Sequence, residues 1–362
     1  MKKTIFISFS LGTGSVSDYF LALVENLNKK YQVIIFSDTK TNEAIAVPKD
    51  VVIKHWPSTR PTKWVDGVFL YRNIKKYRPS MTISIFGSVN IFLIVGFLCG
   101  VKTRIAWIRT LSSQFKQKNI LVFRKRLLYK LATNFVTNSN ATKEDVNKKF
   151  YVPISKIMVL PNSIRDFYSD IQSVNYANIK VITYAGRLHK SKGVEVLIKA
   201  FSKICAPFAD VKLIIIGSGE EESNLKKLVK DLKLEEFVDF KGNLSRNKVL
   251  EMFKSSYLAV VPSHSEAFGY TVIEAMSMKT LIIGANNTGI KEIIRDNNTG
   301  LLFETNQVND LHEKISSALL NPEVRNKLAI EGYNHFKNNY ETSGAIKRDL
   351  YYFDNLMMHI NE

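Results

Sequence analysis

The chain has 362 residues, enough for two domains of ordinary size. Apolar residues make up 45% and charged residues 23%, which excludes disordered and fibrous classes. Two cysteines, Cys99 and Cys205, exclude a disulfide scaffold and point to a reduced, cytoplasmic setting, and the net charge is +18.

That charge lies almost wholly in the first half: residues 1–170 hold 27 Lys and Arg against 10 Asp and Glu, and residues 171–362 hold 24 against 23. The start, Met1-Lys2-Lys3 and then apolar residues to Leu11, has too short an apolar run and no small-residue cleavage site for a signal peptide. It reads as a buried strand, Thr4–Ser10. A helix over Asp18–Lys29 and strands over Gln32–Phe36 and Val51–Lys54 follow. Residues 79–101 carry no charge, yet Ser84, Gly87, Ser88 and Asn90 interrupt them. A buried strand (Thr82–Phe86), a turn at Gly87-Ser88 and a buried helix (Asn90–Leu98) fit better than a membrane span, with interfacial insertion as the alternative. Strands over Arg104–Ile108, Phe135–Thr137 and Lys156–Leu160 complete this half. From Arg72 to Lys130 there are 13 basic residues and no acidic one, which favours an anionic partner: lipid headgroups, a pyrophosphate-linked substrate or nucleic acid. Phe115, Leu121, Phe123, Leu127, Leu128 and Tyr129 lie among those cations, so an interfacial amphipathic helix is expected around Ile120–Leu131.

Polar residues (Asn162, Ser163, Asp166, Ser169, Asp170) mark a join between Pro161 and Lys180. Beyond it, strands over Lys180–Ala185, Val211–Ile216, Val238–Phe240, Leu258–Val261, Thr280–Ile283 and Gly300–Leu302 alternate with helices. These helices cover Val194–Ile204, Glu221–Leu232, Arg246–Ser255 and Tyr270–Met278. Such alternation predicts parallel sheets built by right-handed crossovers. The expected fold is α/β with two doubly wound Rossmann-like domains, residues 1–165 and 166–340. A helix over 341–362 is expected to pack back toward the first.

In such sheets ligands bind beyond the carboxyl ends of the strands, near helix N-termini. The segment from Val260-Val261-Pro262 through Glu266-Ala267-Phe268-Gly269-Tyr270-Thr271 to Glu274 is a strand end, a polar loop and a helix start. First-turn N–H groups welcome an anion, Gly269 permits close backbone approach, and a carboxylate such as Glu274 can accept two hydrogen bonds from a vicinal diol. Tyr184-Ala185-Gly186-Arg187 is a second strand end, with Lys192-Gly193 five residues on. Arg187 and Lys192 suit the neutralisation of a diphosphate. Ile216-Gly217-Ser218-Gly219 and Phe240-Lys241-Gly242 are two more strand ends, the last with backbone available to a base edge.

Together these stretches resemble the retaining glycosyltransferases of group 1, or family 4. The Gly-Arg…Lys-Gly pair, the Ile-Gly-Ser-Gly turn, the Phe-Lys-Gly strand end and the Glu266/Glu274 element stand in that family's order and spacing. Thr299-Gly300-Leu301-Leu302 resembles its closing strand. Thr137-Asn138-Ser139 and Ile157 to Asn162 resemble its passage into the second domain. The resemblance implies two facing Rossmann-like domains (the GT-B type), a nucleotide-sugar donor held by the second and an acceptor held by the first. It further implies that Gly186, Arg187, Lys192, Gly269 and Tyr270 hold the donor diphosphate, with Phe268 and Thr271 beside them. Glu274 would hold ribose, Glu266 the transferred sugar, and backbone at Lys241 and Gly242 the base. The expected donor is a UDP-sugar.

None of the 14 aspartates forms Asp-x-Asp, so no metal and no cofactor are expected, and Arg187, Lys192 and the helix start must stabilise the departing diphosphate. The expected reaction is anomer-retaining transfer with Glu266, Arg187 and Lys192 as its catalytic groups. The expected acceptor is a lipid-linked saccharide in cell-surface polysaccharide synthesis. The enzyme would be peripheral on the cytoplasmic face of a membrane, facing that anionic surface through its first domain, and would not bind nucleic acid. Gly12 and Gly14, split by Thr13, depart from the family's paired glycines, and Arg109 stands where it often carries a histidine. These three are acceptor or phosphate candidates. His189 and His264 match no family position, and Glu292 is a weak match to a ribose carboxylate. The competing readings are a sugar-nucleotide epimerase of the same architecture and a non-catalytic basic subunit that binds membrane or nucleic acid.

Overall fold

Strands buried on both faces belong inside a parallel sheet covered by helices. Ile5, Phe6 and Ile7, all fully buried, have that character. The structure is a computed structural model that describes residues 2–38, 47–59, 61–114, 119–174, 176 and 178–358. It divides into two units, Met1–Ile164 with Thr342–Glu362, and Arg165–Glu341.

In the first unit the strands are β1 (Thr4–Ser8), β2 (Gln32–Ser37), β3 (Val52–His55), β4 (Met81–Ile85), β5 (Thr103–Ile108), β6 (Asn134–Thr137) and β7 (Ile157–Val159). They form one sheet in the order β3-β2-β1-β4-β5-β6-β7, parallel throughout. Between them run α1 (Ser15–Lys30), α2 (Trp64–Tyr77), α3 (Val89–Leu98), α4 (Asn119–Tyr129) and α5 (Asn140–Phe150).

In the second unit β8 (Lys180–Ala185), β9 (Val211–Ile216), β10 (Val238–Gly242), β11 (Leu258–Val261), β12 (Leu281–Ala285) and β13 (Leu301–Phe303) form a parallel sheet in the order β10-β9-β8-β11-β12-β13. Its helices are α6 (Val194–Ser202), α7 (Glu222–Asp231), α8 (Arg246–Ser255), α9 (Tyr270–Ser277), α10 (Ile290–Ile293), α11 (Val308–Leu320) and α12 (Pro322–Asn339). The last helix, α13 (Thr342–Met358), belongs to the first unit, where Ile346, Phe353 and Met357 join the core under α1.

One reading changes at the level of side chains. Tyr129 is buried and packs edge-on against Phe135 and Phe150, so it is core rather than part of an interfacial face. Phe115 lies outside the described residues. Residues 81–98 are β4, a single 3-10 turn (Phe86–Ser88) and α3. Among the described residues no helix is long and apolar enough to cross a membrane.

One buried polar pair ties α13 to α1. The Tyr19 hydroxyl donates to the Asp349 carboxylate, which also accepts from Arg348 Nε at 2.8 Å. Burial pushes the Asp349 carboxyl above its ordinary range, against the opposing effects of Arg348 and the Tyr19 hydroxyl. A carboxyl raised in the folded state adds stability that is complete below its unfolded-state pKa and disappears as pH rises through its folded-state pKa. Against Asp349→Asn, which cannot titrate, the native chain should therefore lose thermal midpoint as pH rises through that window. Paired melts from about pH 3 to about pH 8 check this; a pH-independent difference contradicts it.

Candidate functional site

The strand order of the second sheet reverses between β8 and β11. A crevice opens at such a reversal, beyond the carboxyl ends of the two strands. The loops there are 186–193 and 262–269, which hold Gly186, Arg187, Lys192, Glu266, Phe268 and Gly269.

Glycines let these loops lie against each other. Gly193, at φ 65°, closes the first loop, and a Cβ there would stand 2.1 Å from the Pro262 carbonyl oxygen. Gly217, at φ 125°, passes so close to Gly186 that a Cβ would meet its carbonyl oxygen at 1.9 Å. Backbone hydrogen bonds then fasten the loops: His264 N–H to Ser191 O at 2.9 Å, Leu188 N–H to Ser218 O at 2.9 Å, and Gly289 N–H to Glu266 O at 3.0 Å. Thr288 Oγ1 donates to the same Glu266 carbonyl at 2.8 Å. A loop held from three sides carries its side chains with little freedom, which preorganised electrostatics requires.

Helix α9 begins at this crevice. Gly269, at φ 114°, is its N-cap, and no side chain caps it. The Thr271 hydroxyl lies 3.4 Å from the Ala185 carbonyl, so the first turn sits over the end of β8. Phe268 is buried with its ring near Tyr270 and Tyr340, at centroid distances of 5.9 and 5.8 Å; its side chain supports the turn by packing. The end of α9 is thus a fixed set of N–H donors with the positive pole of a helix behind it.

The charged groups converge on the same place. Lys192 Nζ stands 2.6 Å from Glu266 Oε2, their side chains 22% and 19% exposed. Sequence reading assigned both to the site but did not anticipate that they pair with one another. Arg187 is exposed at the tip of its loop, and its carbonyl accepts from the Tyr184 hydroxyl at 3.0 Å. Burial, reinforced by the Glu266 charge, pushes the Tyr184 phenol up, so it remains a neutral donor at physiological pH. Glu274 faces Arg246 of α8, with Nε 3.8 Å from Oε1, and its side chain is 15% exposed.

A cavity of about 340 Å³ adjoins Arg187, lined by Ala185, Gly186, Ile216, Gly217, Ser218, Asn243, Leu244 and Val249. Lys241 and Gly242 do not line it. A bulge between Phe240 and Gly242 shifts the register, Lys241 turns to Asp239 at 3.3 Å, and Gly242 spends its carbonyl on Gly217 N–H at 2.8 Å. The wall passes instead to Asn243, whose Nδ2 donates to Ser218 Oγ at 2.8 Å. Asn243 of the cavity wall, Tyr184 beside Arg187 and Arg246 beside Glu274 thus adjoin the candidate residues, and sequence reasoning assigned none of them. Tyr184 stood in a quoted strand end, whereas Arg246 opens a helix with no motif around it.

His189 bonds locally, Nδ1 to Ser191 Oγ at 2.7 Å. Burial lowers the pKa of His264. Glu292 is on α10, and its carbonyl is 3.5 Å from the Tyr340 hydroxyl. Among the described residues no group of three His, Cys, Asp or Glu side chains is placed to hold a metal ion.

In the first unit the remaining candidates share the corresponding edge. Gly14 is the N-cap of α1, and Gly12 N–H donates to Ser17 Oγ at 3.2 Å. Arg109, just past β5, is buried with its guanidinium 5.2 Å above the Phe20 ring of α1. The fold thus joins Arg109 to the helix that Gly14 opens.

Residues 169–335 match the family model described as glycosyl transferases group 1. An uncharacterized glycosyltransferase of Methanocaldococcus jannaschii is 32% identical over 178 residues, 46% of this chain and 45% of that protein, so the chain spans under half of that relative's length. The N-acetylgalactosamine-N,N'-diacetylbacillosaminyl-diphospho-undecaprenol 4-alpha-N-acetylgalactosaminyltransferase of Campylobacter jejuni is 26% identical over 90% of this chain and 92% of its own. Among solved structures, Anabaena HepE in complex with UDP aligns at a TM-score of 0.80 and 15% identity, covering 98% of this chain and 100% of that one. That likeness shows the fold, two Rossmann-like domains of the GT-B type.

Proposed function

We propose that this chain, which belongs to the group 1 glycosyl transferases through residues 169–335, moves a sugar from a UDP-sugar to a lipid-linked saccharide with retention at the anomeric carbon. The observation that carries the reading is the convergence of Arg187, Lys192 and the uncapped end of α9 at the β8/β11 reversal, with Glu266 and Glu274 beside them. Breaking a glycosyl–phosphate bond adds a negative charge to the terminal phosphate of the departing nucleotide. Two fixed cations and a helix N-terminus stabilise that charge as it develops, which is where electrostatic catalysis has its largest effect.

The roles follow from position. The cavity next to Arg187 takes the base, and Glu274 takes the ribose hydroxyls. Glu266, released from Lys192 as the diphosphate draws that cation away, orients the sugar. The acceptor hydroxyl attacks on the face the leaving group departs from, and a leaving phosphate oxygen takes its proton, so no metal is needed. The first unit, with Gly12, Gly14 and Arg109 at its strand ends, holds the acceptor. UDP is supported by its presence in the HepE complex, and a lipid diphosphate acceptor by the name of the Campylobacter relative. The excess of cations in the first half suits a cytoplasmic enzyme peripheral to an anionic membrane surface.

Thermal melts with UDP-, GDP- and ADP-sugars test the donor. UDP-sugars at roughly a hundredfold excess over Kd should stabilise the chain by about 2.7 kcal/mol, and the other two much less. Product analysis with a polyprenyl-diphosphate saccharide should then yield an α-linked product from an α-linked donor, undiminished by a chelator. An inverted product, loss of activity on chelation, or epimerised donor without acceptor contradicts the reading.

A further inference from the structure

Three helices of the first unit leave a joint apolar face. A groove of about 740 Å³ runs between α2 and α3 and is closed by Arg124 and Leu128 of α4. Its volume falls within the roughly 300–1,000 Å³ of small-molecule sites. The floor is aliphatic and aromatic, with Ile91, Ile94 and Val95 among its residues. Lys63 and Arg124 are its charged residues, both cationic, and no carboxylate lines it among the described residues. Two of its lining side chains stand in the open: Trp64 is 86% exposed and Leu98 75%. Isolated exposed apolar residues need no explanation, but a contiguous set around a groove marks a binding surface.

We propose that this face docks on an anionic bilayer, with the groove taking a lipid hydrocarbon chain while Lys63, Arg124 and the neighbouring cations meet the headgroups. Charge selects this occupant. From Arg72 to Lys130 the chain carries 13 cations and no anion, which matches a surface that is negative outside and apolar beneath. Trp64 stands where an indole favours a membrane–water interface, its ring apolar and its N–H polar. The proposal deepens the reading of the first unit as the acceptor side: a lipid-linked acceptor would be met in the plane where the enzyme sits.

The chain offers its own probe. Trp56 and Trp107 are buried, at 6% and 1% exposure, so a fluorescence change on docking reports Trp64. Full-length protein is mixed with phosphatidylcholine vesicles with or without phosphatidylglycerol, some carrying brominated acyl chains. The expected result is a blue shift and bromine quenching on the phosphatidylglycerol vesicles alone, both absent in Trp64→Phe. Leu98→Glu, at an exposed position, should weaken vesicle binding by about tenfold or more while the UDP-induced thermal shift stays intact. Unquenched Trp64, vesicle binding by Leu98→Glu equal to the native chain's, or a Trp64 shift set by protein concentration without vesicles overturns the proposal; the last would make a second copy the occupant. A native chain that binds UDP but not the phosphatidylglycerol vesicles overturns docking alone. The reverse result overturns the transferase reading instead.

Discussion

Lys192→Ala is expected to lower kcat by about 10²–10³-fold, the usual cost of removing one preorganised group that faces developing negative charge. Lys192 is held 2.6 Å from Glu266, and both side chains are mostly buried. Truncation therefore has two effects. It removes a cation from the phosphate position, and it leaves the Glu266 carboxylate next to an arriving diphosphate without its counter-charge. Both act on the bond-breaking step, so kcat should fall more than KM rises. Glu266→Gln separates the two: it spares Lys192 for phosphate and should lower kcat while leaving UDP affinity equal or tighter. The double variant should cost less than the sum of the single changes, because the residues act on one another. Steady-state kinetics of the three variants check this, and a Lys192→Ala enzyme within about threefold of the native kcat contradicts it.

Glu274→Gln is expected to weaken UDP binding by about 10–100-fold, the range for losing hydrogen bonds to a charged acceptor. Glu274 lies one turn inside α9 and faces Arg246 at 3.8 Å, which orients the carboxylate. If its partner is the ribose diol, the loss should vanish with 2′,3′-dideoxyuridine diphosphate, which lacks both hydroxyls. Calorimetric titration of native and variant chains with the two ligands forms the cycle. An equal loss with both ligands means that Glu274 serves the loop and not the ribose.

Much of the fold was legible because a parallel strand buried on both faces is a continuous apolar run. Leu213 to Ile216 and Leu258 to Val261 show that signal without any helical period. The site was legible where glycine and charge coincide at a strand end, as at Gly186-Arg187 and Gly269-Tyr270. What depends on distant partners was not. Lys192 and Glu266 meet across 74 residues because β8 and β11 are neighbours, and nothing local to either records that pairing. The assignment of Lys241 and Gly242 missed the cavity wall because a bulge shifts the register by a residue just there, handing the wall to Asn243. Helix α2 went unread because Lys63 stands at its N-cap, and the start is secured from inside, by Asp66 accepting from Lys63 N–H at 2.9 Å. Tyr129 shares its helix with exposed apolar residues, and only the packing of Phe135 and Phe150 shows that it turns inward.

The most direct measurement is a crystal structure of the chain soaked with UDP. Its phosphate oxygens should lie within hydrogen-bond reach of the Gly269 and Tyr270 N–H groups and of the Arg187 and Lys192 side chains, with Lys192 drawn off Glu266. A diphosphate bound elsewhere, with the Lys192–Glu266 pair undisturbed, contradicts the account.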